Sequence, residues 1–124
     1  MSVFRSLFTT SAGDIAPDEA QRAIAQGTPV VDVREADEFA AGAIPGSVNV
    51  PLGRIQQLGA QALASAGINL DAGDVILVCR SGARSGSACA ALQASLGEHA
   101  RNLSGGVMAW AREGLPLTPN GRQA

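Results

Sequence analysis

The stretch that decides the fold is Val75-Ile76-Leu77-Val78-Cys79-Arg80-Ser81-Gly82-Ala83-Arg84. Its first four residues are apolar without a break, which is typical of a central parallel strand that is covered on both faces. The next six residues combine a cysteine and two arginines with small residues, and they lead directly into a helical pattern. The sequence therefore predicts a strand, a short loop and a helix over residues 84–96, with Cys79 at the carboxyl end of the strand.

Short apolar runs alternate with helical patterns on both sides of this stretch. Further strands are predicted at residues 30–33, 48–50 and 100–103, and helices at residues 17–26, 35–41, 55–63 and 107–112. This alternation indicates an α/β fold, an open parallel sheet of about five strands with helices on both faces. Ligands of such sheets bind beyond the carboxyl ends of the strands, which is where the sequence places Cys79.

The composition fits one globular domain. Apolar residues make up 46% of the 124 residues and the formal net charge is −2, so neither disorder nor binding to nucleic acid or an anionic membrane is expected. Two cysteines and one histidine are too few for an ordinary structural metal site, and no cofactor is expected. The same cysteine content favours a reduced, cytoplasmic protein over a secreted one with disulfides. No apolar run in the sequence approaches the length of a membrane span.

Residues 79–84 form a candidate anion-binding loop. Small residues and a glycine let the loop curl so that successive N–H groups point inward, near the positive end of the following helix. A thiol in such a loop is expected to have a lowered pKa, because amides and arginines stabilise its charged form. Since the thiolate is the nucleophile, Cys79 is the candidate catalytic residue. The residues expected to bind substrate around it are Arg80, Ser81, Gly82, Ala83 and Arg84.

Cys89 and His99 have simpler interpretations. Cys89 lies among alanines in the predicted helix, with Leu92 and Leu96 on the same face, so we expect it to pack in the core. His99 falls in a predicted turn before the last strand. A surface position is favoured for it over a pair with Cys79, although such a pair is the alternative.

Three stretches resemble signatures of the rhodanese family, the thiosulfate and persulfide sulfurtransferases. They are residues 30–35 with 44–51, residues 79–85, and residues 102–107 with Trp110 and residues 114–116. The resemblance extends over residues 13–119, which predicts a single rhodanese domain there, with tails at residues 1–12 and 120–124. Where a Ser or Thr helix cap is common before Pro17, this chain has Ala16.

The resemblance implies a ping-pong sulfur transfer. Cys79 would take the outer sulfur of thiosulfate or a persulfide, hold it as a persulfide, and pass it to a thiol or to cyanide. Arg80 and Arg84 would attract the anionic donor, while the loop amides would hold the charge of the persulfide. The implied partners are the small-molecule donor and the thiol acceptor, and an acceptor protein is a further candidate.

Residues outside the loop have expected supporting roles. Asp32 and Arg34 follow the end of another predicted strand, and we interpret them as groups that fix the loop without touching the sulfur. A structural ion pair is the alternative for both. Trp110 and the pair Gly105-Gly106 are expected to serve packing and a turn.

Two other functions remain open from the sequence. Related folds use a similar cysteine loop on phosphate-like oxyanions, so a phosphatase or arsenate reductase is one alternative. However, tyrosine-type phosphatases place five residues between the cysteine and an essential arginine, whereas only four separate Cys79 from Arg84. The other alternative is a non-catalytic module that carries or senses persulfide sulfur.

Overall fold

The structure, a computed structural model, describes residues 13–71 and 73–123, and a parallel sheet of five strands forms the centre of that part. The strands are β1 (Asp14–Ile15), β2 (Val30–Asp32), β3 (Val48–Asn49), β4 (Val75–Val78) and β5 (Ala100–Leu103). They lie in the order β1-β5-β4-β2-β3, and every neighbouring pair is parallel. The predicted open parallel sheet is thus confirmed.

Helices connect these strands and cover the sheet. The α-helices are α1 (Pro17–Ala25), α2 (Ala36–Ala41), α3 (Leu52–Leu58), α4 (Ala60–Ser65), α5 (Ala83–Ala91), α6 (Gln93–Leu96) and α7 (Gly106–Arg112). Single turns of 3-10 helix occur at Gly97–His99 and Pro119–Gly121. None of the described helices is both long and apolar enough to cross a membrane.

The central strand β4 contributes to a hydrophobic core on each face of the sheet. Val75 and Leu77 belong to one cluster of buried side chains, and Ile76 and Val78 belong to the other. All four are at most 1% exposed. Successive side chains of a strand point to opposite faces, so a strand covered on both sides needs an uninterrupted apolar run.

The sequence patterns did not predict β1. This strand has two residues, which pair with β5 through Asp14↔Asn102 and Ile15↔Leu103. Only Ile15 is buried, so the segment carries no alternation that a sequence pattern could reveal.

The prediction of one long helix over residues 55–63 is wrong, because this segment forms parts of two helices, α3 and α4, that meet at Gly59. Gly59 has a φ of 60°, a left-handed value at which α3 ends, and α4 begins at Ala60. Ile55 and Leu63 are fully buried, whereas Leu58, predicted to share their face, is 44% exposed. The helix predicted over residues 84–96 is likewise divided, into α5 and α6 at Leu92.

Helix α1 begins without a side-chain cap at Ala16. The Glu19 carboxylate accepts a hydrogen bond from the backbone N–H of Ala16 at 3.3 Å. Pro17 occupies the first helical position, where its missing N–H has no consequence. The helix therefore forms despite the absent Ser or Thr.

The C-terminal segment closes over the turn at residues 44–47. Ala43 and Thr118 form an antiparallel bridge, and the Gly46 N–H donates to the Gly121 carbonyl at 2.7 Å. Trp110 is buried, and its indole N–H donates to the Pro116 carbonyl at 2.8 Å. Gly121 is buried in this contact, so packed structure continues past residue 119, where the sequence suggested that the domain ends.

Candidate active site

Cys79 lies directly after β4, at the edge of the sheet where the parallel strands end. It is 1% exposed, and residues 80–82 carry the chain from it into α5. Because α5 begins at Ala83, the amides of its first turn are unpaired within the helix and are available to the sulfur. The position agrees with the one expected from the sequence.

Loop amides surround the sulfur of Cys79. The Gly82 N–H donates to Sγ at 3.0 Å, and backbone amides of Ser81 and Ser85 also interact with the thiol. The Ser85 hydroxyl oxygen lies 3.3 Å from Sγ. These donors are arranged for a negatively charged sulfur, since a thiolate accepts hydrogen bonds more strongly than a thiol does.

The first turn of α7 holds the loop in this shape. The N–H groups of Val107 and Met108 donate to the carbonyls of Cys79 and Arg80, at 2.9 and 3.1 Å. With its carbonyls held toward α7, the loop turns its own N–H groups toward Sγ. This arrangement is the anion-binding nest that the sequence predicted.

Gly106 permits this close contact between α7 and the loop. Its φ is 61°, and a Cβ atom at this position would overlap the carbonyl oxygens of both Cys79 and Arg80. No other residue type fits there without displacing the loop. The glycine expected to serve a turn therefore also lets a helix approach the loop that carries the nucleophile.

The pKa of Cys79 is lowered overall. Burial raises it, but the Ser85 hydroxyl and the backbone amides of Ser85, Gly82 and Ser81 lower it by a larger amount. The hydrogen bonds thus outweigh the desolvation of the charged form. The thiolate needed for nucleophilic attack is favoured without a general base.

Arg84 is held by Glu38, a residue that the sequence analysis did not single out. Its two terminal nitrogens donate to the two carboxylate oxygens of Glu38 at 2.7 and 3.0 Å. The hydrogen bond from Arg84, and after it one from the Glu35 backbone N–H, lower the pKa of Glu38 from 4.5 to about 2. Arg84 therefore keeps its charge near Cys79 but has its hydrogen-bonding edge occupied by a neighbouring carboxylate.

The other residues of the loop face solvent or lie partly open to it. Arg80, Ser81 and Ala83 are exposed, and Gly82 is partly buried. The Arg80 carbonyl accepts a hydrogen bond from the Met108 N–H. Arg80 is exposed, although it directly follows the buried Cys79 in the chain.

Asp32 and Arg34 form a buried ion pair at the end of β2. Arg34 Nη2 lies 2.8 Å from Asp32 Oδ2 and donates at 2.8 Å to the carbonyl of Gly42, the residue that ends α2. The Asn49 side-chain amide donates to the carbonyls of Asp32 and Arg34, at 3.0 and 2.9 Å. These contacts fix α2, whose Glu38 pairs with Arg84. The end of β2 also contacts β4 directly, since the Val33 N–H donates to the carbonyl of Val78, the residue before Cys79.

Cys89 and His99 lie apart from these contacts. Cys89 is partly buried and packs against the core, and burial, together with the charge of Asp14, raises its pKa to about 11. It is therefore a thiol at neutral pH. His99 is exposed, and its Nδ1 lies 2.8 Å from Asp74 Oδ1, so the surface position favoured for it is confirmed.

Two residues without a role assigned from sequence lie at the site: Ser85 contacts the nucleophile, and Asn102 contacts Ser85 and Gly82. Ser85 Oγ lies beside Sγ and also 2.6 Å from Asn102 Oδ1, while Asn102 Nδ2 donates to the Gly82 carbonyl at 3.2 Å. Because Ser85 immediately follows the loop in the sequence, its place near the nucleophile could have been predicted from that position. Asn102 approaches from β5, and only the parallel pairing of β4 with β5 brings it there.

Comparison with known proteins agrees with this geometry. The sequence profile of the rhodanese-like domain family matches residues 16–113. The chain belongs to the rhodanese-like domain family. The match covers the first two stretches that carried the resemblance, residues 30–35 with 44–51 and residues 79–85, and the third through Trp110, ending just before residues 114–116.

Relatives of this rhodanese domain are named as sulfurtransferases. A sulfurtransferase of Allochromatium vinosum is 41% identical over 88 residues, which cover 71% of this chain and 76% of that protein. Thiosulfate sulfurtransferase 18 of Arabidopsis thaliana is 33% identical over 107 residues, which cover 80% of this chain and 78% of that protein. A human single-domain sulfurtransferase superimposes with a TM-score of 0.70 at 25% identity, covering 83% of this chain and 98% of that one.

Proposed function

We propose that this rhodanese domain is a sulfurtransferase that carries a sulfane sulfur as a persulfide on Cys79. The observation that supports the proposal most is the set of donors around Sγ, with the Gly82 amide at 3.0 Å and the Ser85 hydroxyl oxygen at 3.3 Å. Such a nest stabilises a thiolate before the reaction. It also lies close enough to stabilise a charged sulfur bonded to Sγ.

The proposed reaction has two displacement steps. The Cys79 thiolate attacks the outer sulfur of thiosulfate, the sulfur–sulfur bond breaks, and sulfite leaves with the electron pair. A thiolate or cyanide acceptor then attacks the outer sulfur of the Cys79 persulfide and regenerates the Cys79 thiolate. A small-molecule persulfide serves as a donor in the same way, with a thiolate as the leaving group.

The arginines are proposed to recruit the anionic donor. Arg80 is exposed beside the loop, and a flexible surface cation attracts an anion without needing a fixed geometry. Arg84 adds positive charge, although Glu38 offsets part of it. Asp32 and Arg34 are proposed to support the loop through α2 and Glu38, without touching the substrate.

A phosphatase function has less support from the site. Phosphoryl transfer depends on donors placed around three equatorial oxygens. Here the loop is one residue shorter than in tyrosine-type phosphatases, and the Arg84 guanidinium is held bidentately by Glu38. The loop amides lie against a single sulfur atom instead.

Parallel steady-state assays test the proposal. The purified protein is supplied in turn with thiosulfate, glutathione persulfide and an aryl phosphate, with cyanide or a thiol as the sulfur acceptor, and the Cys79→Ser variant serves as the control. We expect multiple turnovers with at least one sulfur donor, none in the variant, and negligible phosphate release. Loading without turnover would support the carrier module, and phosphate release at rates rivalling sulfur transfer would overturn the proposal.

A further inference from the structure

Asn102 contacts two residues that interact with the sulfur of Cys79: Gly82, which precedes α5, and Ser85, which lies within it. Its side chain extends from β5, where Asn102 pairs in register with Leu77 of β4. Its Oδ1 lies 2.6 Å from the Ser85 hydroxyl oxygen, and its Nδ2 lies 3.2 Å from the Gly82 carbonyl oxygen. Ser85 is fully buried, so its hydroxyl has no solvent to bond with instead.

The direction of these hydrogen bonds follows from what each atom can donate. The Gly82 carbonyl only accepts, so the NH₂ group of Asn102 faces it and Oδ1 faces Ser85. An amide oxygen also only accepts, so the 2.6 Å contact requires Ser85 to be the donor. A serine hydroxyl has one proton, yet Cys79 Sγ lies 3.3 Å from the same oxygen, and the Gly82 carbonyl oxygen lies 3.4 Å from it as a weaker third acceptor.

We propose that Asn102 is a positioning residue that competes with Cys79 Sγ for the single proton of Ser85 and thereby sets the balance between thiol and thiolate. With Cys79 protonated, Ser85 donates to Asn102 Oδ1, and the Ser85 oxygen accepts the S–H of Cys79. When Cys79 ionises, its proton leaves to solvent, and the Ser85 hydroxyl turns from Asn102 to Sγ. Stabilising the thiolate through Ser85 therefore costs the short hydrogen bond to Asn102.

Such a competition is useful for Cys79 because its Sγ is charged as a thiolate and uncharged once a sulfur is bonded to it. The intrinsic nucleophilicity of a thiolate falls as its pKa falls, and the best attacking thiol has a pKa near the ambient pH. The amide nest lowers the pKa of Cys79, and Asn102 opposes this lowering by competing for the Ser85 proton. In the proposed reaction, a sulfur added to Sγ removes the charge from Sγ, and the Ser85 proton returns to Asn102.

The inference rests on the proposed function only for its effect on turnover, because the ionisation of Cys79 is measured without a sulfur donor. The pKa of Cys79 is obtained from the pH dependence of alkylation by iodoacetamide, in a Cys89→Ala background that leaves one thiol. The variants are Asn102→Leu, Ser85→Ala and the double variant, each checked for folding by urea unfolding. The two single changes remove the competing acceptor and the shared proton separately.

The competition predicts shifts of opposite sign. Ser85→Ala should raise the pKa of Cys79, and Asn102→Leu should lower it, each by roughly half to one pKa unit for one hydrogen bond of ordinary strength. In the Ser85→Ala background, Asn102→Leu should leave the pKa unchanged. A raised pKa in Asn102→Leu, or the same shift in both backgrounds, would overturn the inference, since Asn102 would then act through Gly82 alone.

A measurement on the unsubstituted side chain covers the case in which Asn102→Leu does not fold. In ¹⁵N-labelled protein, the side-chain amide resonance of Asn102 should titrate with the pKa of Cys79, and that titration should be absent from Ser85→Ala. A resonance that does not move with Cys79 ionisation would overturn the inference. Failed sulfur transfer with both results intact would refute the proposed function and leave this coupling standing.

Discussion

Substituting Gly106 tests whether α7 shapes the Cys79 loop. In Gly106→Ala, the new Cβ would overlap the carbonyl oxygens of Cys79 and Arg80, which are backbone atoms and cannot rotate away. The loop must move, and the hydrogen bonds from the Val107 and Met108 amides, at 2.9 and 3.1 Å, are lost or stretched.

The magnitude follows from two contributions. An alanine at a φ of 61° costs about 1–2 kcal/mol of left-handed strain. The two amide-to-carbonyl hydrogen bonds contribute about 1 kcal/mol each to stability. We therefore expect Gly106→Ala to lower the free energy of unfolding by about 3–4 kcal/mol, which most domains survive because their stability is about 5–15 kcal/mol.

Gly114→Ala is a matched control, because Gly114 also has a left-handed φ, of 81°, but a Cβ added there would have no neighbouring atom within 4 Å. Gly114→Ala should lower the free energy of unfolding only by the cost of the left-handed strain, about 1–2 kcal/mol. Urea unfolding measures both losses, and the iodoacetamide alkylation rate reports the Cys79 thiolate, which should decrease in Gly106→Ala alone. Equal losses of stability with unchanged alkylation would refute the role of α7.

Three further predictions concern Cys89, the size of the loop and Glu38. Cys89→Ala should leave sulfur transfer largely intact and cost on the order of 1 kcal/mol of stability, as a small partly buried side chain does; turnover lost at unchanged stability would assign Cys89 to the chemistry. Inorganic phosphate should inhibit sulfur transfer competitively, and one residue inserted after Gly82 should shift the enzyme from thiosulfate toward aryl phosphate; an insertion that leaves both rates unchanged would refute the argument from loop size. Glu38→Gln should cost about 1 kcal/mol or less at pH 7, because the pair with Arg84 is partly exposed. Since the pKa of Glu38 falls from 4.5 to about 2 on folding, this stabilisation is present above about pH 4.5 and is lost as the pH falls toward 2; a difference in urea stability that is the same at pH 7 and pH 3 would contradict it.

The sequence predicted the parts of the fold that depend on local pattern. The uninterrupted apolar run of β4 identified the central strand, and the glycine-containing loop after it located Cys79. β1 was missed because it has two residues and depends on pairing with β5. The break at Gly59 was missed because a glycine between apolar positions does not reveal its φ.

The site was predictable as far as its residues follow one another in the chain. The amide nest follows from the composition of the loop itself. Glu38 is 46 residues from Arg84, and Asn102 is 17 residues from Ser85, so only the arrangement of α2, α5 and β5 brings these side chains together. For this reason, the sequence predicted that Arg84 attracts the anionic donor but did not predict that Glu38 pairs with it.

The assignment of residues 1–12 as a tail lies outside the described residues. The domain boundaries at residues 13 and 119 remain a prediction, which the family match over residues 16–113 supports. The packing of Gly121 against the turn at residues 44–47 places ordered structure just beyond the second boundary.

The central claim is that Cys79 alone carries the transferred sulfur, and intact-protein mass spectrometry tests it most directly. After treatment with thiosulfate, the wild-type protein should gain the mass of one sulfur atom, and cyanide should remove it. The Cys89→Ala variant should gain the same mass, while Cys79→Ser should gain none. An adduct that persists in Cys79→Ser would contradict the account.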